Sequence, residues 1–226
     1  MKALNIKQAT LSIVFAALFI IGTGCNSFTK TQKGAAIGAG AGGVVGAFIG
    51  KSAGNTALGA IIGGAVGGTA GAFIGKKMDR QAAELKQTVP GATVIRQGEG
   101  IVVKFDSGIL FDTDKADLKP DAQTNLQNLA TSLQNNPETN ILIVGHTDST
   151  GSAAHNMDLS IQRATSVKNY IIAANVAPNR LTTVGKGSTE PVASNKTPEG
   201  RSQNRRVEIV ISANDQMRKQ AKQAQE

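Results

Sequence analysis

The sequence predicts an α/β sandwich over residues 99–213, two helices on one sheet, preceded by a helical hairpin over residues 34–78. Three observations lead there. Apolar spacing in the C-terminal half switches between strand and helix periods in the order β, α, β, α, β, β. Ahead of it, glycine recurs at every fourth position in two blocks. The surplus behind the net charge of +8 lies in that forward segment, since residues 26–98 carry eight Lys or Arg against two Asp or Glu. Residues 99–213 balance at eleven against twelve. A surplus so placed suits anionic lipid head groups near a membrane and gives no support to nucleic-acid binding.

The first element, Met1–Gly24, has the form of an export signal. Lys2 and Lys7 supply the positive start, and Leu11–Ile21 is an apolar run too short to span a bilayer, which takes roughly 20 residues. Small residues Gly22, Thr23 and Gly24 then precede Cys25, the only cysteine. An exported lone cysteine has no internal disulfide partner, so Cys25 is either a leftover thiol of the signal or, as its position after small residues favours, a lipidation site at which the signal is cut. It resembles a bacterial lipobox, with Gly22 standing where that pattern usually has Leu. Asn26 after the cysteine is similar to the sorting pattern for the outer membrane. Residues 25–33 would then be a lipidated tether.

In the hairpin, Gly34, Gly38, Gly42, Gly46 and Gly50 form one ridge and Gly59, Gly63, Gly67, Gly71 and Gly75 the other. The blocks align at an offset of 25 with 12 identities in 18 positions, an internal duplication. Fourfold spacing puts each ridge on one helical face, where missing side chains let a second backbone come close. Glycine costs about 1 kcal/mol against Ala in an exposed helix, so these helices need a tight partner, self-association or a bilayer. Residues 79–98 read as a short amphipathic helix and a linker through Pro90 and Gly91.

Within the sandwich, Ile101–Asp106 alternates as a strand, and Leu126, Leu129, Ala130 and Leu133 mark a helix beginning at Pro120. Ile141–Val144 suits a buried strand. Ile161, Ala164, Val167, Ile171 and Ala174 form the core stripe of a second helix, and Leu181–Val184 and Val207–Ile211 complete the sheet. Residues 214–226 read as a polar tail, helical or frayed.

The loop GHTDSTG, Gly145–Gly151, leaves a buried strand directly and sets Asp148 and Thr150 at the sheet edge. Asn156, Leu159 and Arg163, at i, i+3 and i+7, share a helical face apart from the core stripe. If the loop folds back on that face, a carboxylate and a guanidinium bracket one small pocket suited to a zwitterion: Arg163 would fork a carboxylate and Asp148 would face an ammonium. From spacing alone, a purely structural Asp148–Arg163 salt bridge accounts for the pair as well.

Three ordered motifs, GHTDSTGSAAHNMDLSIQRATSV (145–167), NRLTTVGKGSTEPVASN (179–195) and EGRSQNRRVEI (199–209), resemble the OmpA-like peptidoglycan-binding domain. With the glycine hairpin and Cys25 added, the whole chain looks like a YiaD-type glycine-zipper outer-membrane lipoprotein. The resemblance implies a β/α/β/α/β/β fold in the periplasm and a cell-wall ligand, the diaminopimelate of the peptidoglycan stem peptide. It further implies that Asp148 receives the ammonium, that Arg163 holds the carboxylate, and that Asp114, Thr150, Asn156, Leu159 and Arg206 line or close the pocket.

Catalysis is not expected. His146, Asp148 and Ser149 are residue types of nucleophilic chemistry, but neighbours in one tight turn diverge, whereas a triad converges from separate segments. No metal-ligand spacing is present and His155 stands alone in a polar loop, so neither metal nor cofactor is called for. Protein partners are not named by any motif.

Overall fold

The computed structural model describes residues 69–224. Cys25, the leader and all but the last ten residues of the expected hairpin lie outside them.

The chain enters through helix α1 (Thr69–Thr88) and an edge hairpin, β1 (Thr93–Gln97) and β2 (Gly100–Asp106). A short helix α2 (Ser107–Leu110), helix α3 (Pro120–Asn135), strand β3 (Thr139–His146) and helix α4 (Ala153–Ala173) follow. Strand β4 (Leu181–Gly185), helix α5 (Pro198–Asn204), strand β5 (Arg206–Ala213) and helix α6 (Asp215–Gln223) complete it. The sheet order is β1-β2-β5-β3-β4, with β3 and β4 parallel and the other pairs antiparallel. The six-element α/β order read from residues 99–213 is therefore present, with further elements joined at both ends.

Strand alternation divides the sheet into two faces. Ile101, Val103 and Phe105 of β2, Ile141 and Ile143 of β3, and Val207, Ile209 and Ile211 of β5 point to the helices and are buried with them. Val102, Val144 and Val210 form a small separate cluster on the other face. In α3 the expected Leu126, Leu129, Ala130 and Leu133 are all fully buried. Burying a leucine contributes about 1.5–3 kcal/mol, so this stripe is what seats the helix. The α4 stripe is seated through Ala164, Val167 and Ile171, whereas Ile161 is 44% exposed. Ile161 lies on the flank of the helix over Gly185, at the edge strand, where the sheet ends before covering it.

Two segments read as peripheral belong to the core. In the expected linker, α1 runs unbroken across residue 78 and buries Ile74, Met78, Ala82 and Leu85. Val94 of β1 is buried, and β1 pairs with β2 from Gly100 to Lys104. The expected polar tail is helix α6, capped by Asn214, whose side chain accepts from Met217 N at 3.0 Å, and it buries Met217 and Ala221. Lys77 Nζ ties the two helices, donating to Gln220 Oε1 at 3.1 Å and to Glu138 Oε1 at 3.2 Å. The folded unit thus begins well ahead of residue 99 and extends past residue 213.

The first half of α1 lies at the end of the sheet where β1 turns into β2. Arg96 there donates to the carbonyls of Gly75 of α1 and of Gly100. No helix among the described residues is long and apolar enough to cross a membrane.

Candidate functional site

At the other end of the sheet, β2 and β3 finish and β5 begins, and the loops there enclose a cleft of about 690 Å³. One wall is the loop after β3. Asp148 is 7% exposed; its Oδ1 accepts from Thr150 N at 2.8 Å and its Oδ2 from Arg205 Nη1 at 2.7 Å. Burial alone would push this carboxyl up, but the hydrogen bonds from Arg205 and Thr150 and the Arg205 charge hold it below its usual range. Asp148 is therefore an anion at neutral pH, buried and fixed in direction.

Helix α4 forms the second wall. Ser152 caps it, its side chain accepting from His155 N at 3.2 Å, and Asn156 Nδ2 reaches back to Thr150 O at 2.9 Å. The loop is thereby fastened to the first turns of the helix. Two turns on, Arg163 is 3% exposed. Its Nε donates to Lys115 O at 3.0 Å, and its guanidinium lies 5.3 Å from the centroid of the Phe111 ring, a cation–π distance. Burial draws its pKa below the usual arginine value, and Asp114 and Asp148 oppose that shift. An arginine remains charged even so. Leu159 lies between Asn156 and Arg163 and supplies an apolar floor.

The third wall is the loop after Phe111. An isolated bridge between Phe111 and Leu118 pinches its base, and Asp114, with φ 58°, turns its carboxylate onto His155, Oδ1 to Nε2 2.7 Å. Both side chains are more than half exposed, so this contact sits at the mouth. The fourth wall brings Arg201 and Arg205 from α5 and its C-cap.

The cleft collects six of the seven residues expected from the sequence: Asp114, Asp148, Thr150, Asn156, Leu159 and Arg163. Arg206 does not line it. As the first residue of β5, Arg206 is fully buried on the face of the sheet away from the helices, with Nε on Glu208 Oε1 at 2.6 Å and Nη2 on Glu190 O at 3.2 Å. Its neighbour Arg205 faces the cleft instead. Successive residues at a strand end point to opposite faces, so a reading one position out exchanges a site residue for a structural one. Phe111, Arg201 and Arg205 were missed, although EGRSQNRRVEI contains both arginines. An Asp148–Arg163 ion pair is absent among the described residues: Asp148 is held by Arg205, and Arg163 by backbone carbonyls. Two opposite charges thus flank one cavity without neutralising each other directly.

His146 bears on the hydrolytic alternative. Its ring is fully buried on the same face as Arg206, and neither ring nitrogen has a hydrogen-bond partner among the described residues. It is turned away from the cleft that Asp148 enters. Among the described residues, no group of three His, Cys, Asp or Glu is placed to hold a metal ion.

Comparison with known proteins gives the family and the fold. The OmpA family model matches residues 110–205, and the YMGG-like Gly-zipper model matches residues 4–79. The Probable lipoprotein YiaD of Escherichia coli K12 is 40% identical over 211 residues, which span 89% of this chain and 95% of that protein. The Peptidoglycan-binding protein ArfA of Mycobacterium tuberculosis is 47% identical over 104 residues, 46% of this chain and 32% of that one. Among solved structures, the cell wall anchor of the T6SS from Pseudomonas aeruginosa superposes with a TM-score of 0.54 at 30% identity, covering 61% of this chain and 97% of that one. A Gly-zipper segment followed by an OmpA domain, matched almost end to end, places the chain in the family of YiaD-type lipoproteins.

Proposed function

We propose that the cleft binds peptidoglycan without cutting it, by gripping the zwitterionic end of diaminopimelate in the stem peptide, and that the chain ties the outer membrane to the wall. The observation that carries this reading is the pair of buried, oriented, opposite charges on facing walls. Asp148 keeps lone pairs free for an ammonium, and Arg163 keeps guanidinium N–H groups free for a carboxylate. Asn156 and Thr150 hold the two walls in register. The buried, averted His146 offers no base beside Asp148 or Ser149, which supports binding over hydrolysis.

Polarity along the domain supports the tether. The cleft opens at one end of the sheet and the first described turns of α1 lie at the other, so the described domain begins on the side away from the wall ligand. Cys25 is the proposed acylation site, and several acyl chains make a stable anchor where one is marginal. Intact-mass measurement of the membrane-bound protein should give a chain starting at Cys25 with acyl chains; an unmodified chain would remove the anchor from this reading.

Sedimentation with purified wall tests the grip. Asp148→Ala and Arg163→Ala should each weaken binding about tenfold or more, since a charge-assisted hydrogen bond contributes roughly 1.5–3 kcal/mol. Arg163→Lys should recover part of the loss, because an ammonium keeps the charge but not the fork. Wild-type binding by both alanine variants, or unfolding of both, would make Asp148 and Arg163 structural residues.

A further inference from the structure

The end of the sheet opposite the cleft has its own chemistry. There the first residues of β3 and β4 and the last of β5 open onto a groove of about 420 Å³ bordered by Asn140, Asn179, Ser212, Arg180 and Arg218. Arg180 is spent within the fold, donating to the carbonyls of Leu133, Asn136 and Thr139 at 2.8–2.9 Å. Arg218 is not. Its Nε is buried without an acceptor among the described residues, and it joins no ion pair among them. A buried guanidinium N–H left open is matched by an anionic oxygen. Asp215 is the one carboxylate on the groove, set against two arginines.

Beside the groove, α1 and α6 are locked together by Lys77 and Gln220. Lys222 is one turn beyond Arg218 on the same face of α6, and Lys76 and Arg80 are one turn apart on α1. Lys76, Arg80, Lys219 and Lys222 are exposed, and none of them has an ion-pair partner among the described residues. Over the two helices, seven Lys or Arg face three Asp or Glu. This local surplus contrasts with the near balance of residues 99–213. It also occupies the end where the described residues begin.

We propose that this end of the domain is a docking surface for an anionic phospholipid bilayer: Lys76, Arg80, Lys219 and Lys222 lie on the head groups, and the Arg218 groove receives a head-group phosphate. The domain would then rest on the membrane at one end while the cleft at the other faces the wall. Contact of this kind is additional to the acyl anchor and does not depend on it.

The test uses the chain from residue 25 onward with Cys25→Ala, which carries no lipid, and vesicles of phosphatidylcholine with or without phosphatidylglycerol. The chain should bind the mixed vesicles, release them as salt rises, and bind pure phosphatidylcholine at least tenfold more weakly. Lys76→Gln, Arg80→Gln, Lys219→Gln and Lys222→Gln combined should lose at least tenfold, and Arg218→Gln alone several-fold, while both variants still sediment with purified wall. Lys30→Gln, Lys33→Gln and Lys51→Gln combined should keep most of the binding. The proposal is overturned if the quadruple variant binds like its parent, if the Lys30, Lys33 and Lys51 variant carries the loss instead, or if phosphatidylglycerol makes no difference.

Discussion

Gly145→Ala should lower the stability of the folded domain by about 3 kcal/mol and its Tm by roughly 6–12 °C. A Cβ built at Gly145 meets the backbone carbonyl oxygen of Ser160 at 2.1 Å, and backbone within a helix cannot step aside as a side chain can. This is where α4 crosses β3. Gly185 repeats the arrangement on β4, its added Cβ meeting Ser160 Oγ at 2.6 Å, so the helix rests on two adjacent strands through glycines. Ser160 also accepts from Gly187 N at 2.9 Å, which holds the next loop against the helix. An alanine at 145 must lift α4 or bend β3. Either movement shifts Asn156 and Arg163, one turn to each side of Ser160, away from Asp148 on the loop. Wall binding should therefore fall with Tm. Gly108→Ala, whose added Cβ meets nothing within 4 Å, is the control and should leave the Tm unchanged. Calorimetry on the two variants decides the point, and an unaltered Tm in Gly145→Ala would contradict the packing account.

The second large effect is acid destabilisation through His146. Burial, then the charges of Arg206 and Lys186, push its pKa down from 6.5 to about 2. Glu208 lies 4.0 Å from Nε2, but its other oxygen holds Arg206 at 2.6 Å, so its charge is already engaged. The folded protein keeps the ring neutral, whereas the unfolded chain takes up a proton below pH 6.5. Stability from this group is complete above pH 6.5 and is lost as pH falls, at a slope approaching about 1.4 kcal/mol per pH unit. By pH 4.5 the loss should reach roughly 2.7 kcal/mol. Asp148 and Glu138, whose pKa values are lowered, also lose stability in acid, but only as pH drops below the ordinary carboxylate range near 4. The window between pH 6.5 and 4.5 therefore isolates the histidine. Urea unfolding of His146→Gln should show a flatter pH dependence than wild type across it; parallel curves for the two proteins would contradict the assignment.

How far the sequence discloses this molecule depends on which forces leave a local pattern. The stripes of α3 and α4 were legible because burial against a sheet imposes a helical period, as at Leu126, Leu129 and Leu133. Ile161 broke the rule because its partner surface ends at β4, and no period encodes where a sheet stops. Strand β1 was hidden for a related reason: an edge strand of five residues buries Val94 and leaves Ile95 46% exposed, too little alternation to stand out after Pro90 and Gly91. Helix α1 was divided at residue 78 because glycine spacing dominates its first half and charge its second. The apolar series Ile74, Met78, Ala82 and Leu85 nevertheless runs straight across that boundary.

The site shows the same division. Asn156, Leu159 and Arg163 were legible as one face because helical geometry fixes their spacing, and Asp148 because its loop follows a buried strand. The resemblance points to Arg206 where the structure has Arg205 at the cleft, because pointing at a strand end depends on register, which this strand acquires only by pairing with β2 and β3. The contact of Arg163 with Lys115 and Phe111 joins segments about fifty residues apart and leaves no trace in either segment alone.

If, as proposed, one cleft holds an ammonium and a carboxylate of the same ligand, free ligands carrying both groups should compete with purified wall for the mature protein. Diaminopimelate should displace the wall, while pimelate, which lacks the amines, and 1,5-diaminopentane, which lacks the carboxylates, should not. Acetylating the free amines of the wall should reduce binding as far as Asp148→Ala does. Displacement by pimelate equal to that by diaminopimelate, or undiminished binding to acetylated wall, would contradict a zwitterion clamp and leave Asp148 without the role assigned to it.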